Sequence, residues 1–178
     1  MKKSAKTALG GITASLSLVF MLLTAVFPFL TYASPEIAGT LLIIMVLELN
    51  KKWAFGAYVS VSLLSLFILP DKEAAMMYVG FFGFYPILKP VLESKLPRVW
   101  EWICKFLVFN VSVCISYIII VYVFSIPIEG MERFGKWAVP ALLAMGNVMF
   151  ILYDMVISRL VSIYLNRWQK KFHSIFKI

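Results

Sequence analysis

The chain has 178 residues, of which 62% are hydrophobic and only 15% charged. A soluble domain carries about 25% charged and 45–50% apolar residues, so this composition excludes a soluble enzyme, a disordered tail and a nucleic-acid module. The net charge is +8, from 17 basic and 9 acidic residues, and where those charges fall matters more than their sum.

The first apolar run, Ala8–Leu30, is longer than the roughly 7–15 residues of a signal-peptide core. It reads as a retained membrane span, although Met1-Lys2-Lys3 and Thr31-Tyr32-Ala33 loosely imitate a signal and its cleavage site. The second run, 36–49, opens on Ser34-Pro35-Glu36, which offers an N-cap, a proline for the first helical position and an acid for the first turn. Runs 53–69 and 74–88 follow. Pro70-Asp71-Lys72-Glu73 stops the first of these and caps the second. Lys89-Pro90 and Pro97-Arg98 bracket a polar loop before the fifth run, 103–125, and the loop Pro127–Lys136 precedes the sixth, 137–157. In the tail, 158–178, Trp168, Phe172, Ile175 and Phe176 recur on one helical face beside Arg167, Lys170, Lys171 and Lys177. That pattern predicts an amphipathic helix on the anionic inner leaflet.

The expected fold is an all-α integral membrane protein with six transmembrane helices in one bundle. Runs two to four fall short of a hydrocarbon core of about 30 Å. Either these helices stop around a water-filled hollow, where irregular backbone is tolerated, or they extend beyond these limits. Six spans put both termini on one side. That side then holds all the basic residues except Lys72, Arg133 and Lys136, so both termini are expected in the bacterial cytoplasm. Cys104 and Cys114 fall in one apolar run and read as buried, reduced thiols.

No catalytic motif is present: no His-Glu-x-x-His, no Gly-x-Ser-x-Gly and no glycine-rich phosphate loop. The one histidine, His173, lies in the tail. An enzyme, a metal site and a cofactor are therefore not expected. Gly80 and Gly83 read as packing glycines. Glu48, three and four residues before Lys51 and Lys52, reads as their interfacial partner.

Two places hold candidates for binding. On the first helix Thr7, Gly11 and Ser15 recur every fourth residue, as do Gly10 and Ala14, with Ala8 and Ser17 adding to the small surface. Small residues at this spacing let helix backbones approach closely in lipid, either within the chain or against a second membrane protein. At the outer mouth Thr31, Tyr32, Ser34 and Glu36 face a second loop with Asp71, Lys72, Glu73 and Tyr78, and a third with Tyr122, Ser125, Glu129, Glu132, Arg133 and Trp137. Acids in first turns also stabilise helix N-termini, and aromatic residues also suit interfacial belts. Within the spans Asn147, Asp154 and Ser158 share one helical face, Asn110 and Tyr117 another, and Tyr58, Ser62 and Ser65 a third. Asn147, near mid-membrane, is the best single candidate there for a ligand contact. Tyr32, Glu36, Asp71, Tyr78 and Asn147 are the substrate-binding candidates.

The chain resembles the substrate-binding S components of bacterial energy-coupling-factor transporters. The matching stretch is Thr7-Ala8-Leu9-Gly10-Gly11-Ile12-Thr13-Ala14-Ser15-Leu16, where the family's small-residue pattern takes the form Gly10-x-x-x-Ala14, and Pro28 sits near the outer end of the same helix. The resemblance implies six helices, cytoplasmic termini and an outward-opening cavity closed by the loop between helices one and two. It implies docking on a membrane coupling subunit, with separate ATPase subunits, through Thr7, Gly10, Gly11, Ala14 and Ser15. Metal-transporting members use an N-terminal histidine, whose absence here disfavours nickel or cobalt. The expected function is capture of a vitamin-like solute from outside. The rival expectation is a non-transporting membrane scaffold of a cell-envelope complex, and neither involves nucleic acid.

Overall fold

A computed structural model describes residues 3–125 and 138–169, and among them every regular element is a helix. The helices are α1 (Lys3–Leu22), α2 (Ala33–Glu48), α3 (Lys51–Ile68), α4 (Lys72–Met77), α5 (Tyr85–Lys95), α6 (Arg98–Tyr122) and α7 (Ala138–Ile163). A π turn, Tyr78–Phe82, joins α4 to α5, and a second, Tyr164–Trp168, extends α7. Among the described residues four stretches are long and apolar enough to cross a membrane: Lys3–Ala25, Lys72–Lys95, Arg98–Tyr122 and Pro140–Trp168. By length and composition they suggest a membrane protein. With α4, the π turn and α5 counted as one, the described helices form six segments.

The segment limits depart from the apolar runs wherever charge intervenes. The stretch 89–95, expected as a loop, is helical, and Pro90 lies inside α5. Lys89 is buried there and pairs with Glu93 one turn on, at 2.8 Å, so ion pairs rather than apolarity hold this stretch. The fifth segment starts at Arg98, not 103, because Glu101 and Lys105 close an i,i+4 pair at 2.6 Å. The last segment does not stop at 157 but runs on through the second π turn. The first starts at Lys3 and breaks after Leu22 into two short 3-10 turns, the second beginning at Pro28. Of the tail expected as a separate amphipathic helix, residues up to 169 continue α7, while Phe172, Ile175 and Phe176 lie outside the described residues. So do Glu129, Glu132, Arg133 and Trp137 of the expected third loop, whereas Tyr122 of that loop ends α6 and is exposed. The cysteines are not buried: Cys104 is half-buried and Cys114 exposed.

Helix α2 is the hub. It is apolar all round, as a helix with neighbours on several sides should be. Its Gly39 lies so close to the first π turn that a Cβ would sit 2.1 Å from the Phe82 carbonyl oxygen. On another side the buried Ser17 hydroxyl of α1 donates to the Ala38 carbonyl oxygen at 3.1 Å. Two cores form around it. One joins α1, α2, α3 and α4 through Met21, Leu42, Met45, Val61 and Ala75, with Tyr78 of the first π turn. The other is aromatic and joins the π turn, α5, α6 and α7. There Phe81 stacks on Tyr85 at 4.7 Å and Phe109 on Phe150 at 4.9 Å.

Side-chain contacts distinguish two ends of the bundle. At one, Thr31 and Tyr32 meet Asp71 and Glu73. At the other, the Tyr164 hydroxyl donates to Glu48 at 2.9 Å, tying the extension of α7 to the end of α2. Lys3, Lys6, Lys51, Lys52, Lys95, Arg98, Arg159 and Arg167 belong to helix ends on the Glu48 side, whereas Lys72 caps α3 at the other.

Candidate functional site

Thr7, Gly10, Gly11 and Ala14 come together along one groove of about 470 Å³ between α1 and α3. The helix presents Leu9, Thr13, Ser17 and Met21 inward, so the small residues at the other spacing fall at the edge and outside. Ser17 is thereby part of the core rather than of the small outer surface, and Ser15 is exposed beyond the groove. The opposite wall is Trp53, Gly56, Ala57 and Ser60 of α3, with Met45 of α2 at the base. A Cβ on Gly11 or on Gly56 would meet nothing within 4 Å, so neither glycine is required by packing inside the chain. Gly56-x-x-x-Ser60 obeys the same four-residue rule as Thr7-x-x-x-Gly11. That signal was present in the sequence, but the Tyr58, Ser62, Ser65 face of the same helix drew the reading. Ser65 and Ser62 are buried, and the Tyr58 hydroxyl donates to the Val79 carbonyl oxygen at 2.8 Å.

The outer-mouth candidates form a lock between two turns. The Thr31 hydroxyl donates to Asp71 at 2.7 Å, and the Tyr32 hydroxyl donates to Glu73, also at 2.7 Å. Asp71 is at the same time the N-cap of α4, accepting from the Ala74 amide at 3.0 Å. Lys72 donates to the last carbonyls of α3, at Leu66 and Leu69. Partial burial, reinforced by the bond to Glu73, raises the Tyr32 phenol above its ordinary pKa. The loop between the first two helices is thus pinned to the α3–α4 turn. Glu36 lies one turn into α2, four residues before Thr40, whose hydroxyl donates to the Glu36 carbonyl oxygen. Tyr78 is fully buried against Gly83 and Tyr58, and among the described residues its hydroxyl has no hydrogen-bond partner.

Asn147 stands apart from these. It exchanges two hydrogen bonds with Asn110 across the α6–α7 seam, both at 2.9 Å, and donates back to Leu143 within its helix. Both amides are satisfied by each other, the arrangement that polar groups in an apolar bundle require.

The most concentrated charge lies at the Glu48 end. Asp154 of α7 is buried and receives the Lys89 ammonium, the Tyr85 hydroxyl at 2.5 Å and Lys105 at 3.2 Å. Lys105 also pairs with Glu93 at 2.9 Å and Glu101 at 2.6 Å, and its ammonium lies 5.2 Å from the Trp102 ring. Lys89 and Lys105, expected among the basic residues on the side of the termini, are each at most 4% exposed. The sequence carried a signal for this: Lys105 follows Glu101 by four residues at the head of a long apolar run, and Asp154 interrupts another. Burying two ammonium groups is tolerable only because each meets carboxylates on a neighbouring turn or helix. Among the described residues no group of three metal-ligating side chains occurs. Comparison with family models, curated proteins and solved structures finds no match to this chain.

Proposed function

We propose that the chain is the membrane-embedded, solute-capturing subunit of an ATP-driven importer, of the kind the S components of energy-coupling-factor transporters represent. It docks through the α1–α3 groove on a membrane coupling subunit that works with ATPases. The observation that carries this is the groove itself. Thr7, Gly10, Gly11 and Ala14 face Gly56, Ala57 and Ser60 across it, with Met45 at the base. A cleft in which the Cβ positions of Gly11 and Gly56 are empty admits a helix backbone at close range. The loop pinned by Thr31–Asp71 and Tyr32–Glu73 suits a cover over an outer solute site bordered by Glu36 and Tyr78. In this reading the basic end faces the bacterial cytoplasm, with both termini inside, because fixed cations are retained there.

The test is mass spectrometry of the full chain purified from its native membrane in mild detergent. Co-purification of ATPase subunits and a second multi-span protein, lost with Gly11→Leu, supports the reading. A single class of retained small molecule names the solute. Cell-wall or cytoskeletal partners without an ATPase overturn it in favour of a scaffold. The mutual satisfaction of Asn110 and Asn147 favours that second reading, since it leaves mid-membrane amides no free group for a ligand.

A further inference from the structure

The buried ionic cluster has an open side, and two arginines line it. Arg98 begins α6 and Arg159 stands on α7 five residues after Asp154, and both line one cleft of about 660 Å³ whose floor includes Lys105. Lys105 and Lys89 hold the three nearby carboxylates, Glu93, Glu101 and Asp154, in five ion pairs. Neither arginine makes an ion pair among the described residues; Arg98, Arg159 and Lys105 balance Glu93, Glu101 and Asp154 on the cleft lining, and Lys89, paired with Glu93 and Asp154, brings the cluster to one net positive charge. The backbone adds to this: Pro97 offers α6 no side-chain cap, so the first amides of that helix are open beside the cleft.

We propose that this cleft binds a phosphate group, held by the guanidinium groups of Arg98 and Arg159. Guanidinium forks match phosphate oxygens in pairs, which an ammonium does not. Depth points to where the phosphate comes from. Helix α6 has 25 residues, a rise of about 37 Å, enough to cross the hydrocarbon and reach an interface. Arg98, its first residue, therefore stands at headgroup level, and Arg159 shares that level because it lines the same cleft. Leu96, Trp102 and Met155 give the cleft apolar walls, as a glycerol backbone and the first acyl carbons require. The phosphate of an anionic lipid headgroup meets all these demands, and a free phosphate compound meets the polar ones. The proposal is independent of any transport role.

The test is native mass spectrometry of the purified full chain offered equal phosphatidylglycerol and phosphatidylcholine, alongside thermal unfolding in detergent with and without inorganic phosphate. The wild type is expected to retain phosphatidylglycerol preferentially. Arg98→Gln/Arg159→Gln should lose roughly tenfold of that preference, as two interfacial charges allow. Arg98→Lys/Arg159→Lys, which keeps the charge but not the forks, should fall between them. Protection by inorganic phosphate that needs both arginines, with no lipid preference, assigns the same site to a free phosphate compound. Equal retention of both lipids by the wild type together with no response to phosphate overturns the proposal. So does a folded glutamine variant that binds like the wild type.

Discussion

Lys105 reaches from α6 to Asp154 on α7 at 3.2 Å, and neither side chain is more than 6% exposed. Lys105 also keeps Glu93 and Glu101. Among the described residues Lys89 has Asp154 and the half-open Glu93. Removing the Asp154 charge therefore leaves Lys89 with one half-open partner, while Lys105 keeps two. Breaking a buried ion pair from one side costs about 3–5 kcal/mol. Asp154→Asn should lower the unfolding temperature in detergent markedly. Asp154→Asn/Lys89→Met should recover part of that loss, because it removes the under-compensated ammonium as well. A double variant no more stable than Asp154→Asn would show that Lys89 is not the under-compensated group.

Gly39 tests the hub position of α2. A Cβ there would sit 2.1 Å from the Phe82 carbonyl oxygen and 2.7 Å from its carbon, and backbone cannot swing aside as a side chain can. Overpacking of this kind costs about 1–3 kcal/mol. Gly39→Ala should reduce thermal stability by that amount, while Gly11→Ala, with no neighbour within 4 Å, should leave it unchanged. Equal behaviour of the two variants would contradict the close approach of α2 to the first π turn.

The contrast between these two glycines also shows what the sequence discloses. Apolar runs locate α1, α2, α3 and much of α6 because each is one uninterrupted burial or lipid face. They miss residues 89–95, since Lys89 is neutralised by Asp154, 65 positions along the chain, and no local pattern announces that partner. The four-residue spacing finds Thr7, Gly10, Gly11 and Ala14, and the structure places them on one groove. Their opposite wall, Gly56 and Ser60, is legible by the same rule once α3 is known to lie alongside. The joining of Tyr32 to Glu73 and Thr31 to Asp71 is not legible, because it depends on how α1 through α4 fold back on one another. Composition alone likewise gives Asn147 no partner; Asn110 supplies one only when α6 and α7 meet.

That amide pair makes its own prediction. Interhelical hydrogen bonds in membrane proteins are worth about 0.6 kcal/mol on average and about 1.7 at most. Asn147→Leu should cost about that much by stranding Asn110, and Asn110→Leu/Asn147→Leu should cost less than the two single changes added together. A double-mutant cycle by thermal unfolding in detergent reads this directly. Strict additivity would mean the two amides do not hold one another.

The lock between residues 31–32 and 71–73 should act locally. Tyr32→Phe removes the bond to Glu73 at a half-exposed site, and Thr31→Val removes the bond to Asp71. Single hydrogen bonds of this kind contribute about 0.5–1.5 kcal/mol. Global stability should change little, while amide hydrogen exchange at residues 31–36 should accelerate in both variants. Asp71→Ala should go further, because it removes the N-cap of α4 together with the lock. If exchange at 31–36 is unchanged in all three, the loop is held by something other than these carboxylates.

The groove gives the sharpest separation of folding from function. Gly11→Leu and Gly56→Leu each place a branched side chain where a Cβ meets nothing, so neither should disturb the bundle. Each would nevertheless fill the space between Thr7, Gly10 and Ala14 on one wall and Ala57 and Ser60 on the other. Without that space a partner helix cannot reach backbone contact distance. Both variants should express and unfold like the wild type and bind any solute equally well, yet lose co-purifying membrane partners and solute accumulation in cells. A variant that unfolds early would place the groove inside the chain's own packing. One that keeps its partners would remove the groove from docking altogether.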